Sequence, residues 1–230
     1  MNHIMLTQNT DKLRLEVATH VAADTIAQGN YWDSINNSGC WIGCLAKSND
    51  PYINEVTYGL PVMVQRIAEK IFEALPAAKA KAFFAALPDA VNCDGKDLTK
   101  VGWQFLAAEL RSLPNCSDRV QSVIDPVITG MDLLASGQEW ADVKAAATVA
   151  ADTDAAYAAR VADAVVQAAT WAADAADWPA DPDAVRWASD AAAAWAAACA
   201  ASGTAAVRLR QRDLLLRLIS EAPVVEATND

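Results

Sequence analysis

The sequence predicts an all-α fold, either a multi-helix bundle or a short helical-repeat stack, with an irregular amino-terminal segment. Three observations carry this. Alanine, the best helix former, supplies 51 of 230 residues, and 32 of them fall between Ala141 and Ala206. Gly and Pro number only nine each and punctuate the chain rather than pervade it. Runs of β-branched residues are short, and apolar residues recur at spacings of three and four.

The elements follow in order. Thr10 can cap a first helix whose apolar positions Leu13, Val17, Val21 and Ile26 lie about one turn apart, with Gly29 as its stop. Residues 30–60 then lose the rhythm. Tyr31 and Trp32, the polar run Ser34 to Ser38, Cys40 and Cys44, and Asn49-Asp50-Pro51 mix aromatics with turn formers, and binding residues concentrate in such segments. Pro61 opens a helix with Val64, Ile67, Ile71 and Leu75 on one face. Pro76 and Pro88 bracket a short helix carrying Phe83 and Phe84. Leu98, Val101, Phe105 and Leu113 mark the next segment, closed by Pro114-Asn115. Ser117 or Asp118 opens another through Val120, Ile124, Ile128 and Leu134, with Pro126 expected to kink it and Gly137 to end it.

The second half is of another kind, which sets the expected domains at 1–137 and 138–230. From Tyr157 the residues Val161, Ala164, Ala168, Trp171, Ala175 and Trp178 follow a strict 4-3-4-3 alternation, one seam for a neighbouring helix. Arg160, Asp163, Gln167, Thr170, Asp174 and Asp177 repeat the alternation as a polar stripe, continued by Asp183 and Asp190 after the Trp178-Pro179 break. Alanine lets such helices approach closely while Trp and Tyr rings fill the gaps. Thr204 then caps a last helix with Leu209, Leu214, Leu215, Leu218 and Ile219.

Charge and cysteines limit the function classes. With 18 Lys+Arg against 29 Asp+Glu, a net charge of −11, the chain is no polybasic nucleic-acid binder, and no direct nucleic-acid contact is expected. The first residues have no basic and apolar leader pattern, and the longest uncharged stretch, Ala191 to Val207, is too weakly apolar to span a membrane; a cytoplasmic protein is expected. Five cysteines in such a chain read as free thiols.

Two chemistries compete with plain packing at the cysteines. Cys40 and Cys44 stand four apart in Gly39-Cys40-Trp41-Ile42-Gly43-Cys44, a half site for zinc if helical, but only His3 and His20 exist and no second Cys pair completes it; no metal and no cofactor are expected. A nucleophilic Cys would need a base, for which His20 is the candidate. Buried small thiols beside close-packed glycines explain the motif without chemistry. No G-x-S-x-G, Walker loop, dinucleotide fingerprint or H-E-x-x-H is present. The acids are more informative: residues 139–206 hold ten acids and three bases, a face that could mimic phosphates or meet a basic protein patch, or simply keep an Ala-rich helix in solution.

Gly39-Cys40-Trp41-Ile42-Gly43-Cys44, Tyr58-Gly59-Leu60-Pro61 with Arg66 and Ile71-Phe72-Glu73, and the Ala/Asp/Trp-rich tail through Leu214-Leu215-Leu216 and Ala222-Pro223 resemble uncharacterised bacterial and phage-borne Ala-rich helical proteins. Some of these carry an immunity-protein label. The resemblance implies binding and neutralising another protein, and it brings no catalytic residues. It also implies a second context, phage anti-defence, in which small acidic proteins block host immune complexes, CRISPR effectors included.

The expected function is therefore a non-enzymatic, acidic, protein-binding inhibitor whose partner presents a basic or nucleic-acid-binding surface. Tyr31, Trp32, Trp41, Tyr52 and Tyr58 are the expected aromatic anchors, because they fall outside a clear helical period. Asp163, Asp174, Asp177, Asp183 and Asp190 form the expected acidic face. The alternative is a Cys-dependent enzyme or a ligand- or metal-binding protein using Cys40, Cys44 and His20.

Overall fold

The computed structural model describes residues 6–112, 118–141 and 203–225, and among them the fold is all-α apart from one two-stranded hairpin. Eight helices lie in the described residues: α1 (Thr10–Ala23), α2 (Trp41–Ala46), α3 (Tyr52–Tyr58), α4 (Val62–Ala74), α5 (Ala77–Val91), α6 (Val101–Arg111), α7 (Asp118–Ala135) and α8 (Gly203–Glu221). The hairpin pairs β1 (Trp32–Asp33) with β2 (Ser38–Gly39), antiparallel, with Trp32 opposite Gly39 and Asp33 opposite Ser38. The chain forms two compact units, residues 1–101 with 212–230, and residues 102–211.

The carboxy-terminal segment thus belongs with the amino-terminal unit, not with a separate domain over 138–230. The reason is local pairing. After a turn at Gly95 (φ 88°), Lys96-Asp97 runs between Thr7 and Pro223-Val224-Val225: the Thr7 amide donates to the Lys96 carbonyl (2.9 Å), Asp97 N to Pro223 O (2.9 Å) and Val225 N to Gly95 O (2.8 Å). The buried Lys96 ammonium then donates to the Ala90, Ile219 and Ser220 carbonyls at 3.2, 3.2 and 2.7 Å. It occupies the carboxy-terminal ends of α5 and α8 at once, where unpaired carbonyls and the helix dipole favour a cation.

In the first unit the core builds on the predicted apolar spacings. Val64, Ile67 and Ile71 of α4 and Leu75 after it are all buried, as are Phe83, Phe84 and Leu87 of α5. The first helix departs from expectation. It stops at Ala23, with Asp24 in the left-handed conformation, and its buried positions are Thr10, Leu13, Val17 and His20, so His20 takes the inward place expected of Val21. Thr10 does not cap it through its own hydroxyl; its amide (2.8 Å) and its hydroxyl both donate to Asp94 Oδ1. Pro88 does not end α5 but sits inside it, since its missing N–H removes one bond and the helix resumes through Asn92 N to Pro88 O (2.8 Å).

Segment 30–60 is more regular than expected, holding β1, β2, α2 and α3. A buried amide pair ties α3 down: Asn54 Nδ2 donates to Ile42 O (3.3 Å) and Gln65 Oε1 (3.0 Å), while Gln65 Nε2 donates to Pro51 O (2.9 Å) and Leu60 O (2.6 Å). Gly59 ends α3 with φ +67°, and a Cβ there would lie 2.0 Å from the Leu6 carbonyl oxygen, so only glycine fits.

In the second unit Phe105, Leu106, Ala107, Leu110, Ile124, Val127, Met131 and Val207 are buried. Pro126 lies within α7, as expected from the sequence. Glu109, also buried, accepts from Arg210 Nη2 (3.0 Å) and Gln211 Nε2 (2.7 Å), and burial raises its carboxyl above the usual range. The seam from Tyr157 to Trp178 lies outside the described residues.

Candidate functional site

Among the described residues, chemistry-bearing side chains gather at the 31–39 hairpin and the helix it rests on. Its docking explains the Gly-Cys-Trp-Ile-Gly-Cys motif. A Cβ on Gly39 would lie 2.2 Å from the Tyr31 carbonyl oxygen, and one on Gly43 only 1.5 Å from the same atom. The two glycines four apart therefore make a smooth strip on which the Tyr31 backbone lies. Cys40 N donates to Asn30 O (2.9 Å) and Tyr31 O (3.2 Å), and Ala27 N to Gly39 O (2.8 Å), which fixes the base of the hairpin. Between the glycines, Trp41 points inward onto Phe83 (4.6 Å between centroids, tilted) and edge-on to Phe84 (5.7 Å).

At its tip the hairpin is held by its own acid. Asp33 Oδ1 accepts from Ile35 N (2.9 Å) and Asn36 N (3.2 Å), Oδ2 accepts from Asn36 Nδ2 (2.6 Å), and these donors lower the Asp33 pKa. Asn37 takes the left-handed conformation that the turn needs (φ 51°). Ile35, at the apex, is 91% exposed.

One flank carries His20 and Lys47. The Lys47 ammonium donates to His20 Nε2 (2.8 Å), to Glu16 Oε2 (3.0 Å) and to the Cys44 carbonyl (3.1 Å), and stands 5.2 Å from the centre of the Trp32 ring. Because an ammonium only donates, Nε2 is the acceptor, and Nδ1 carries the proton donated to Thr25 Oγ1 (2.7 Å). His20 meets Trp32 edge to face at 6.0 Å. Burial first, and Lys47 second, hold its pKa below the ordinary value.

The other flank carries Arg66, Glu69 and Tyr31. Arg66 Nη1 donates to Glu69 Oε2 (3.0 Å) and to the Tyr31 hydroxyl (3.2 Å), and the guanidinium lies 5.9 Å from the Tyr31 ring centre. Burial, then Glu69, raise the Tyr31 pKa. Glu73 accepts from Gly29 N (2.8 Å), and burial raises its carboxyl.

The thiols lie between these flanks. Cys40 Sγ points at Glu69 Oε1 (3.9 Å), and Cys44 Sγ at the Gly39 carbonyl (3.1 Å). Both are buried, and burial pushes their pKa values up to about 11 and about 12. At neutral pH both are protonated, the inert form. Cys40 precedes α2 as its N-cap while Cys44 lies within it. Both ring nitrogens of His20 are engaged by Thr25 and Lys47. Among the described residues no group of three or more His, Cys, Asp and Glu side chains converges to hold a metal ion.

The expected aromatic anchors divide. Trp41 and Tyr58 are core residues, each at most 2% exposed, and this corrects their expected role as exposed anchors. Trp41 is captured by Phe83 and Phe84; Tyr58 is the last residue of α3, with the Lys12 ammonium 5.8 Å from its ring centre, and burial pushes its hydroxyl pKa up to about 12. Tyr31 and Trp32 are half-buried against their cations, and Tyr52 is exposed. Asp163, Asp174, Asp177, Asp183 and Asp190 lie outside the described residues.

The sequence reading missed Ile35, Ile53, Val56, Lys47 and Glu69. Tyr52, Ile53 and Val56 share one side of α3 and are 51%, 40% and 63% exposed, because the helix turns its polar Asn54 inward instead. A lone Ile in the polar run Ser34 to Ser38 was the one readable signal. Among the described residues no helix is long and apolar enough to cross a membrane. Comparison with protein-family models, curated proteins and solved structures finds no match, so the resemblance to Ala-rich helical proteins rests on its motifs alone.

Proposed function

We propose that this protein works without catalysis, by binding and inhibiting another protein in bacterial or phage conflict, as an immunity-type or phage anti-defence protein. The observation that carries the reading is the exposed apolar side of α3, Tyr52, Ile53 and Val56, on a helix that the buried Asn54–Gln65 pair holds rigid. Large apolar side chains grouped on one face are an unfavourable surface unless covered, and a rigid aromatic-aliphatic group binds with little ordering cost. The net charge of −11 adds steering toward a basic or nucleic-acid-binding surface, with Asp163, Asp174, Asp177, Asp183 and Asp190 as the acidic stripe. The alternative built on Cys40, Cys44 and His20 gains nothing from thiols that stay protonated and an imidazole already bonded at both nitrogens.

The test is capture from the native host, uninfected and phage-infected, with the wild type and with a Tyr52→Ser/Val56→Ser variant. Exposed substitutions shift stability by no more than about 0.5 kcal/mol each, so the variant stays folded. A protein retained by the wild type and lost from the variant is expected; an identical set from both removes α3 from the interface. Changing the five aspartates to Asn should slow association at low salt and flatten its salt dependence. Unchanged rates would remove the stripe.

A further inference from the structure

We propose that His20 and Lys47 form an acid-sensitive latch beneath Trp32, closed while His20 is neutral and opened by its protonation, which sets how the 31–39 hairpin is presented. The latch does not rest on the proposed α3 interface: it is a property of the isolated chain, and its test needs no partner.

The geometry allows two exclusive arrangements. With His20 neutral, Nε2 accepts from Lys47 Nζ, and the ammonium completes its three bonds with Glu16 Oε2 and the Cys44 carbonyl. In that position it lies against the Trp32 ring, which also meets His20 edge to face and rests over Gly39. Both members of the pair therefore touch Trp32. Protonation places a proton on Nε2, so this atom ceases to accept and becomes a donor. The Cys44 carbonyl, which also acts on the imidazole, already accepts from Lys47. Its two lone pairs can serve both donors, but Lys47 loses the Nε2 acceptor and then stands beside a second cation, with Glu16 and the Cys44 carbonyl as its remaining acceptors.

Every charged or titratable group facing the ring enters this balance. From α1, Glu16 favours the protonated form; from the turn after α2, Lys47 opposes it; from α2 comes the neutral Cys44 thiol and its carbonyl. Thr25 holds Nδ1–H in either state, so the switch is confined to Nε2. Trp32 pairs with Gly39 across the hairpin, so movement of its ring is passed directly to β1 and β2.

The test uses the full chain labelled with 5-fluorotryptophan and followed by fluorine NMR from pH 8 to pH 5, with the Trp32 resonance identified by its absence in Trp32→Phe. The Trp32 resonance is expected to shift with a midpoint below the ordinary histidine value of about 6.5. In His20→Gln, whose amide can still accept from Lys47 and donate to Thr25, that titration should vanish. In Lys47→Met the neighbouring cation is gone, and the midpoint should move upward. A Trp32 resonance that does not titrate, one that still titrates in His20→Gln, or a midpoint unmoved in Lys47→Met would each overturn the latch. Any of these results leaves the α3 interface standing, and loss of the α3 interface leaves the latch standing.

Discussion

Replacing Gly43 by Ala sets helix propensity against packing, and the structure says which wins. Gly43 sits inside α2, where alanine would ordinarily stabilise by about 1 kcal/mol. Its new Cβ, however, would stand 1.5 Å from the Tyr31 carbonyl oxygen, whereas ordinary contact begins near 3.4 Å. The obstacle is backbone, which cannot swing aside as a side chain would. The 31–32 segment must retreat by about 2 Å, the difference between those two distances. Such crowding costs about 1–3 kcal/mol. The retreat also breaks the bifurcated bond from the single Cys40 N–H to Asn30 O and Tyr31 O, about 1 kcal/mol in all. Subtracting the propensity gain leaves a net loss of about 1–3 kcal/mol. Urea unfolding followed by circular dichroism measures it, with Gly29→Ala as comparison. Gly29 has φ +81° but nothing within 4 Å of a new Cβ, so only backbone strain of about 1 kcal/mol is expected there. A Gly43→Ala protein as stable as the wild type, or more so, would refute the docking of Tyr31 on the glycine strip.

Three further outcomes follow from the same geometry. Lys96→Met leaves three helix-end carbonyls without their charged donor and should lower stability by about 2–4 kcal/mol, with amide exchange accelerated first at residues 219–225; unchanged exchange there would show that the ammonium does not hold the chain end. Cys40 and Cys44, in a Cys93→Ser/Cys116→Ser/Cys199→Ser background, should resist iodoacetamide at pH 8, since a thiol at about 11 is ionised to roughly one part in a thousand; mass spectrometry showing labelling of the native protein as fast as of the unfolded one would refute their burial. The depressed pKa of His20 means that the unfolded chain takes up a proton first as pH falls. The stability it supports is full above pH 6.5 and declines below it, so the urea midpoint should drop more between pH 7.5 and 5.5 in the wild type than in His20→Gln, and equal drops would deny the shift.

How much was legible in the sequence depended on whether a residue's fate was decided by its neighbours along the chain. The α4 face of Val64, Ile67 and Ile71, continued by Leu75, was readable because one apolar stripe buried on one side is a local pattern, and the all-α class followed from Ala content and sparse breakers for the same reason. Pro88 was misread because a proline removes one bond without forbidding the next turn, and packing of Phe83, Phe84 and Leu87 carried α5 past it. The site was harder. Glycine at positions 39 and 43 was visible, but that it serves the Tyr31 backbone is a contact across a hairpin that no periodicity encodes. Trp41 and Tyr58 were aromatics outside a clear period whether they faced solvent or core; only Phe83 and Phe84, forty residues on, make Trp41 a core residue. His20 could be placed on a helix by spacing alone, yet its tautomer and its partners depend on Lys47 and Thr25 arriving from elsewhere. The chain itself determined helices, charge and the absence of known catalytic signatures. Tertiary structure decided which polar groups were buried together, because hydrogen bonds and desolvation act between residues distant in sequence, and those pairings set the chemistry of the hairpin and the exposure of α3.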